Sequence, residues 1–391
     1  MRDIKLPDGW KIGKLENLVS FTRGSEPGSD SYTEDDSYTR FLRVSDISGT
    51  SKKKVYTVAD NLKLVNKGDL LLTLDGTPGI VSDQFEGAIS SGIRKIDIAN
   101  SKLLQDYLKF YLKSDNVQRI IYKYATGATI LHASKSIHYI DVVLPSLETQ
   151  KKIVQVLEKT KSAIEKKKEA IKLLDELVKS RFIGMFGDPV LNPKGWQKGK
   201  ISDVIIKTQY GTSNKADEGN GEFKILRMNN ITYDGKWDFS SIKYVDLDKK
   251  EQEKFLVYKG EVLFNRTNSK ELVGKTAVYK EDEPMAYAGY LVKATPNGKA
   301  NGEFISSYMN TKYIKAKLLN MAKSIVGMAN INAEEFKKID IYIPPIELQN
   351  QFAGFVKQVD KLKVETQKSL EELENIYHSL MQRAFKGELF N

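Results

Sequence analysis

Residues 144–188 read LPSLETQKKIVQVLEKTKSAIEKKKEAIKLLDELVKSRFIGMFGD, and residues 343–388 read IPPIELQNQFAGFVKQVDKLKVETQKSLEELENIYHSLMQRAFKGE. The second stretch lies on the first without a gap. Pro145 falls on Pro344, Leu147 on Ile346, Glu148 on Glu347, Gln150 on Gln349, Ile153 on Phe352, Leu174 on Leu373 and Phe186 on Phe385. A repeat of this length decides how the rest of the chain is organised. Each copy opens with proline near the first turn, where a missing N–H costs nothing, and a glutamate follows that suits the positive end of a helix. Ile153, Leu157, Ile164, Ile171, Leu174 and Val178 follow a four-and-three alternation in the first copy. Phe352, Phe355, Val359, Leu362, Leu373, Ile376 and Leu380 do so in the second. Polar Thr160, Lys167, Thr366 and Ser369 interrupt the two seams, as register-setting residues do in coiled coils. Helices are expected at 147–182 and 346–383; each would be roughly 54 Å long at ~1.5 Å per residue. Outer faces as charged as Lys166, Lys167, Lys168 and Glu169 do not suit burial in one core. The copies are therefore expected to be each other's partner in an antiparallel coiled coil, with the domains at opposite ends.

The segments before the two helices echo each other as well. Pro7-Asp8-Gly9-Trp10 corresponds to Pro193-Lys194-Gly195-Trp196, and Gly13-Lys14-Leu15 to Gly199-Lys200-Ile201. The run from Phe41 to Ile47 corresponds to that from Ile225 to Ile231, and Lys67-Gly68-Asp69-Leu70-Leu71 to Lys259-Gly260-Glu261-Val262-Leu263. Short apolar runs around Val44, Leu70–Leu74, Val262–Phe264 and Ile339–Ile343 predict strands. Helical spacing predicts helices over Leu103–Lys123 and Phe304–Lys323. The fold class is α+β, as two similar mixed α/β domains, each followed by a long helix, in a pseudo-two-fold internal repeat. The boundaries read as a domain at 1–145, a helix at 146–188, a second domain at 189–344 and a second helix at 345–391.

With 391 residues the chain has room for two or three domains. It contains no cysteine, which excludes disulfides and thiolate metal sites and suits a reducing compartment. The start lacks the apolar region of a leader and no run approaches a membrane span, so the expected location is the cytoplasm, with no membrane partner. A net charge of +10 favours a polyanion, nucleic acid first.

The loops that differ between the halves carry the polar side chains. Thr73-Leu74-Asp75-Gly76-Thr77-Pro78-Gly79 follows a predicted strand; its counterpart is Asn265-Arg266-Thr267-Asn268-Ser269-Lys270. Arginine suits a guanine edge and asparagine an adenine edge, while serine, threonine and lysine reach phosphates. A second pair is Tyr124–Thr129, with Thr126 and Thr129, opposite Ser324–Asn330. A third is Thr22-Arg23-Gly24-Ser25 opposite Tyr210-Gly211-Thr212-Ser213, where glycine permits tight turns or close backbone approach to a phosphate. Arg43 and Arg227 lie at equivalent places in the runs Phe41–Ile47 and Ile225–Ile231. The competing reading of any one such loop is a solvated turn.

Catalytic patterns are missing. Val273-Gly274-Lys275-Thr276 lacks the first glycine of a phosphate-binding loop, because Ser269 stands there, and it reads as a strand start. His132 and His138 lie six apart without the carboxylates of a metal site. No dinucleotide-binding glycine pattern and no Asn-Pro-Pro-aromatic tetrapeptide of amino-methyltransferases is present; Gly187-Asp188-Pro189-Val190 comes nearest.

Nearly the whole chain resembles the specificity subunits of Type I restriction–modification systems. The resemblance rests on Trp10 and Trp196 in their Pro-x-Gly-Trp settings and on the Pro-x-[Leu/Ile]-Glu-x-Gln openings at Pro145 and Pro344. The run from Gly260 to Ser269 and the ending Ala384-Phe385-Lys386-Gly387-Glu388-Leu389 add to it. It implies that each domain is a target recognition domain reading one half of a bipartite sequence in double-stranded DNA. The helices would be the spacer, and would dock two methyltransferase subunits. Restriction subunits would join the complex. S-adenosylmethionine, ATP and magnesium would be bound by those partners, and this chain would hold no cofactor, no metal and no catalytic residue. The competing expectations are a stand-alone DNA-modifying enzyme and a coiled-coil scaffold that never touches DNA.

Overall fold

The computed structural model describes residues 6–325 and 328–390. The chain forms two compact units, and each takes part of both long helices: unit 1 is Met1–Lys168 with Lys368–Asn391, and unit 2 is Glu169–Gln367. The long helices run Leu147–Phe186 and Ile346–Lys386, a turn beyond the predicted ends.

The two units are built on one plan. A two-stranded antiparallel pair, Lys11–Lys14 with Asp141–Leu144, recurs as Gln197–Lys200 with Asp340–Ile343. A four-stranded sheet orders Val19–Arg23, Ile93–Ile98, Leu70–Thr73 and Val81–Ser82; its counterpart orders Ile205–Tyr210, Leu291–Pro296, Val262–Asn265 and Thr276–Val278. A further sheet in each unit contains one parallel contact, Phe41 beside Ala88 and Ile225 beside Ala286. The central strands Leu70–Thr73 and Val262–Asn265 are buried along their whole length, so they read as unbroken apolar runs.

Two local expectations are corrected. The strand expected around Val44 is Thr39–Leu42; the Asp46 carboxylate accepts from the Arg43 N–H, and Val44–Ile47 is a helical turn. Each predicted domain helix is two helices, Gln105–Leu112 with Asp115–Lys123 and Gly302–Met309 with Lys312–Met321. Ser114 and Thr311 stand at the breaks as N-cap residues, and the Thr311 side chain accepts from the Ile314 N–H.

The glutamine of the repeated opening fastens each long helix to its domain. Gln150 is fully buried; it accepts from the Leu104 N–H at 2.9 Å and donates to the carbonyls of Lys102 and Pro145. Gln349 accepts from the Asn301 N–H at 2.9 Å and donates to those of Lys299 and Pro344. Both ends of the amide are used, which leaves no buried polar atom of that side chain unpaired.

The far end of each helix meets a Pro-x-Gly-Trp segment. Gly187 and Gly387 have φ of +84° and +79°, the left-handed conformation that ends helices on glycine. A Cβ on Gly187 would fall 2.8 Å from the Pro193 ring, and one on Gly387 would fall 2.4 Å from the Pro7 ring. The indole of Trp196 donates to the Phe186 carbonyl at 2.8 Å, taking one of the helix's unpaired acceptors.

Inside each unit the helices run antiparallel. In unit 1 Ile153 and Leu157 share a core with Met381, Ala384 and Phe385, and Lys168 meets Glu374 at 2.7 Å. In unit 2 Lys363 meets Asp175 at 2.7 Å, and Phe182 and Phe186 pack on Phe352. Leu362 and Ile376, expected in the seam, are each 50% exposed. Val356 and Leu370 are buried instead, while Thr366 is buried as a seam residue should be. The phase was misplaced because Lys363 holds a seam position, where its ammonium pairs with Asp175; apolar periodicity passes over it.

Candidate nucleic-acid interface

In each unit the two variable loops are joined by a short antiparallel ladder. Asp75–Gly76 pairs with Leu131–His132, and Thr267–Asn268 pairs with Ala329–Asn330. The residues that face each other across the ladder are hydrogen bonded through their side chains. His132 Nδ1 lies 2.9 Å from Asp75 Oδ1, and Asn330 Nδ2 donates to Thr267 Oγ1 at 3.0 Å. Frame and register agree while the chemistry differs.

A guanidinium sits beside this ladder in both units, delivered by different strands. In unit 1 Arg94 Nη2 approaches Asp75 Oδ2 at 3.4 Å and donates to Ser134 Oγ at 2.9 Å. Both Arg94 and Arg23 donate to the Ser91 carbonyl, at 2.5 and 3.2 Å. Burial lowers the Arg94 pKa, against the pull of Asp75; the group stays charged. In unit 2 Arg266 Nε donates to the equivalent carbonyl, that of Gly289, at 3.0 Å. Its guanidinium lies over the Tyr210 ring at 5.0 Å, a cation–π contact. Tyr210 is held in turn by the Ala333 N–H, which donates to its hydroxyl. Among the described residues none accepts from the two terminal nitrogens of Arg266, so the fork of this half-buried side chain is free.

The other sequence candidates divide by exposure. Thr77, Thr126, Thr129, Arg23 and Lys270 are exposed; Asn268, Ser269 and Asn330 are half-buried. Asn268 Oδ1 accepts from the Ser269 N–H, so bidentate pairing with a base would have to release that bond. Asn265 and Thr212 are buried and take N–H groups of Thr267 and Asn214, a framing role. Arg43 donates to Ser51 and to the Lys53 carbonyl, and Arg227 to the Ser241 carbonyl, so both brace their own loops. The side chain of Ser324, together with Val326 and Gly327, lies outside the described residues. Gly24 and Gly211 approach their own chain: a Cβ on either would fall 2.2 Å from a backbone carbonyl oxygen. That contact accounts for both glycines without a phosphate.

Sequence reading missed the Asp75–His132 pair, the Arg94 support behind it and the Tyr210 platform. Their signals are cross-strand contacts between segments far apart in the chain. Among the described residues no group of three or more His, Cys, Asp or Glu side chains is placed to hold a metal ion, and no helix is long and apolar enough to cross a membrane.

The family described as "Type I restriction modification DNA specificity domain" matches residues 7–173 and again residues 193–375, once for each repeat. The chain belongs to that family. It is a non-catalytic DNA-recognition subunit. It is similar to the EcoKI specificity subunit of Escherichia coli K12, 22% identical over 98% of this chain and 90% of that protein. The MjaVIII specificity subunit of Methanocaldococcus jannaschii is 23% identical over 100% of this chain and 95% of that one. The fold matches the crystal structure of a Type I S subunit from M. genitalium, with a TM-score of 0.58 at 15% identity, over 97% of this chain and 98% of that one. A second match, TM-score 0.59 at 19% identity over 98% and 100%, comes from a study of complex assembly in a type I restriction–modification system.

Proposed function

We propose that units 1 and 2 read the two halves of a bipartite, asymmetric site in double-stranded DNA, each through its ladder-joined loops. The single observation that supports this most is the repetition of one loop frame with unlike side chains: Asp75, His132 and Arg94 in one, Thr267, Asn330 and Arg266 in the other. A frame kept while its polar groups change is what a pair of readers for different sequences needs. The two long helices act as a coiled-coil spacer and as the docking surface for methyltransferase and restriction subunits. Leu173, Leu177 and Ile183 on the first helix, and Leu362 and Val364 on the second, are exposed apolar side chains that suit such a surface. Methyl transfer, with S-adenosylmethionine, and ATP- and magnesium-dependent steps then belong to the partners, in the cytoplasm.

Replacing residues 189–344 with the corresponding domain of a relative tests the reading. The methylation pattern of the assembled complex is expected to change in one half-site and stay the same in the other. Simultaneous change of both halves would contradict separable readers.

Arg266→Ala offers a finer test. The free fork suits a guanine edge, and its loss is expected to cost about 1–3 kcal/mol on the cognate duplex while relaxing preference at one base pair. An equal loss on cognate and scrambled duplexes at one salt concentration would make Arg266 a phosphate contact.

A further inference from the structure

His132 has one ring nitrogen occupied and the other open. The backbone of His132 is clamped to Thr126 by two hydrogen bonds, 3.0 Å from the Thr126 N–H and 2.7 Å from its own N–H. Its ring is fixed by Asp75 at 2.9 Å, and Asp75 is held from behind by Arg94. The Asp75 side chain is 14% exposed and that of His132 is 60% exposed, so the supporting carboxylate is inside and the imidazole outside. In the tautomer that donates from Nδ1 to the Asp75 carboxylate, Nε2 is left as an acceptor. Among the described residues none bonds to Nε2, on a side chain that is exposed and tethered through Nδ1.

We propose that His132 reads one base pair of the half-site bound by unit 1, accepting through Nε2 from the exocyclic amine of adenine or cytosine in the major groove, with Asp75 as its positioning residue. This rests on the reading of unit 1 as a half-site reader. The amine is the donor that each base pair offers in that groove, and reversal of the pair moves it to the other strand. Reversal therefore removes the partner of Nε2 while leaving composition and charge unchanged. The equivalent ladder position in unit 2 carries Asn330 bonded to Thr267. That pair has the same cross-strand geometry with an amide in place of the imidazole, so the position varies in the group presented while the bond that holds it is kept.

The alternative role for the pair is a staple that closes the loop, and the unit 2 pair separates the two. The test uses the chain assembled with its methyltransferase subunits, and duplexes carrying the site that the wild-type complex selects from random sequence. Each base pair of the unit 1 half-site is reversed singly. Reversal of one pair is expected to weaken wild-type binding roughly 3- to 10-fold, the scale of one hydrogen bond to a base, and to leave His132→Ala indifferent. The double variant Asp75→Thr/His132→Asn restores a cross-strand staple of the unit 2 kind. It is expected to fold, with some loss of stability because Arg94 loses its carboxylate partner, and to keep wild-type discrimination in the other half-site, yet not the wild-type preference at that pair. Recovery of the wild-type preference by the double variant would overturn the inference, as would full retention of it by His132→Ala. If the wild-type complex selected no bipartite site at all, the half-site reading itself would fail, which is a different result from either.

Discussion

Phe352→Ala is expected to lower the stability of unit 2 by about 3–5 kcal/mol, the range for removing a large aromatic from a packed core. Phe352 has no exposed surface, and it lies edge-on to Phe182 and Phe186 with ring centroids 5.5 Å away in both contacts. Phe186 is edge-on in turn to Phe304 of the domain at 4.9 Å. One side chain at the head of the second helix thus ties together the tail of the first helix and the domain. Truncation would forfeit the apolar burial, leave a cavity and break edge-to-face contacts worth about 0.5–1.5 kcal/mol each. Phe352→Leu fills most of the volume and is expected to cost much less. Urea unfolding of both variants, followed by the fluorescence of Trp196 and Trp237, decides the matter. A loss under about 1 kcal/mol for the alanine variant would show that the helix head is not part of this core.

Phe352 also marks what the sequence could convey. The repeat was legible because the residues that make the frame are the same on both sides: the helix-opening glutamines, the Pro-x-Gly-Trp segments and the apolar central strands. Their presence is visible in one dimension, but their action is not. Gln150 and Gln349 repeat as letters; only the structure places their amides between the N–H and C=O groups of a preceding turn. The sequence shows the seam of the second helix at Phe352, Val359 and Thr366 and misses it between them, where Val356 is buried and Lys363 is half-buried while Leu362 is exposed. A pattern search for apolar residues cannot anticipate a lysine neutralised by Asp175 and set next to Lys236, which reaches the same carboxylate from the domain. The strand expected around Val44 failed for a similar reason, since one carboxylate, that of Asp46, turned β-branched sequence into a helical turn. In the candidate interface the loops were found from their composition, and Arg266 with them. Local spacing offers His132 only as a metal ligand, because its partner Asp75 lies across a ladder that no such spacing reveals.

Binding of the assembled complex to its duplex is expected to weaken by about three to five powers of ten between 50 and 200 mM salt, if it makes some six to ten phosphate contacts. Each neutralised phosphate should add nearly one unit to the slope of log K against log salt. The net charge of +10 supplies the surplus. Much of the lysine is already matched within the fold, as Lys109 is by Asp83 and Asp106, and Lys280 by Glu303 and Asp360. Exposed Lys123, Lys135 and Lys270 lie in or beside the candidate loops. Lys270 is the discriminating position, because it stands four residues from Arg266 in one loop. Lys270→Ala should lower the salt slope by about one unit and weaken all sequences alike, since a phosphate contact positions without distinguishing bases. Arg266→Ala should leave the slope nearly as it was and erase a preference. The two variants therefore divide one loop into its phosphate-tracking and base-reading parts. A slope for the wild-type complex close to zero would mean that the cationic surplus faces away from the DNA, and the loops would then have to be assigned another partner.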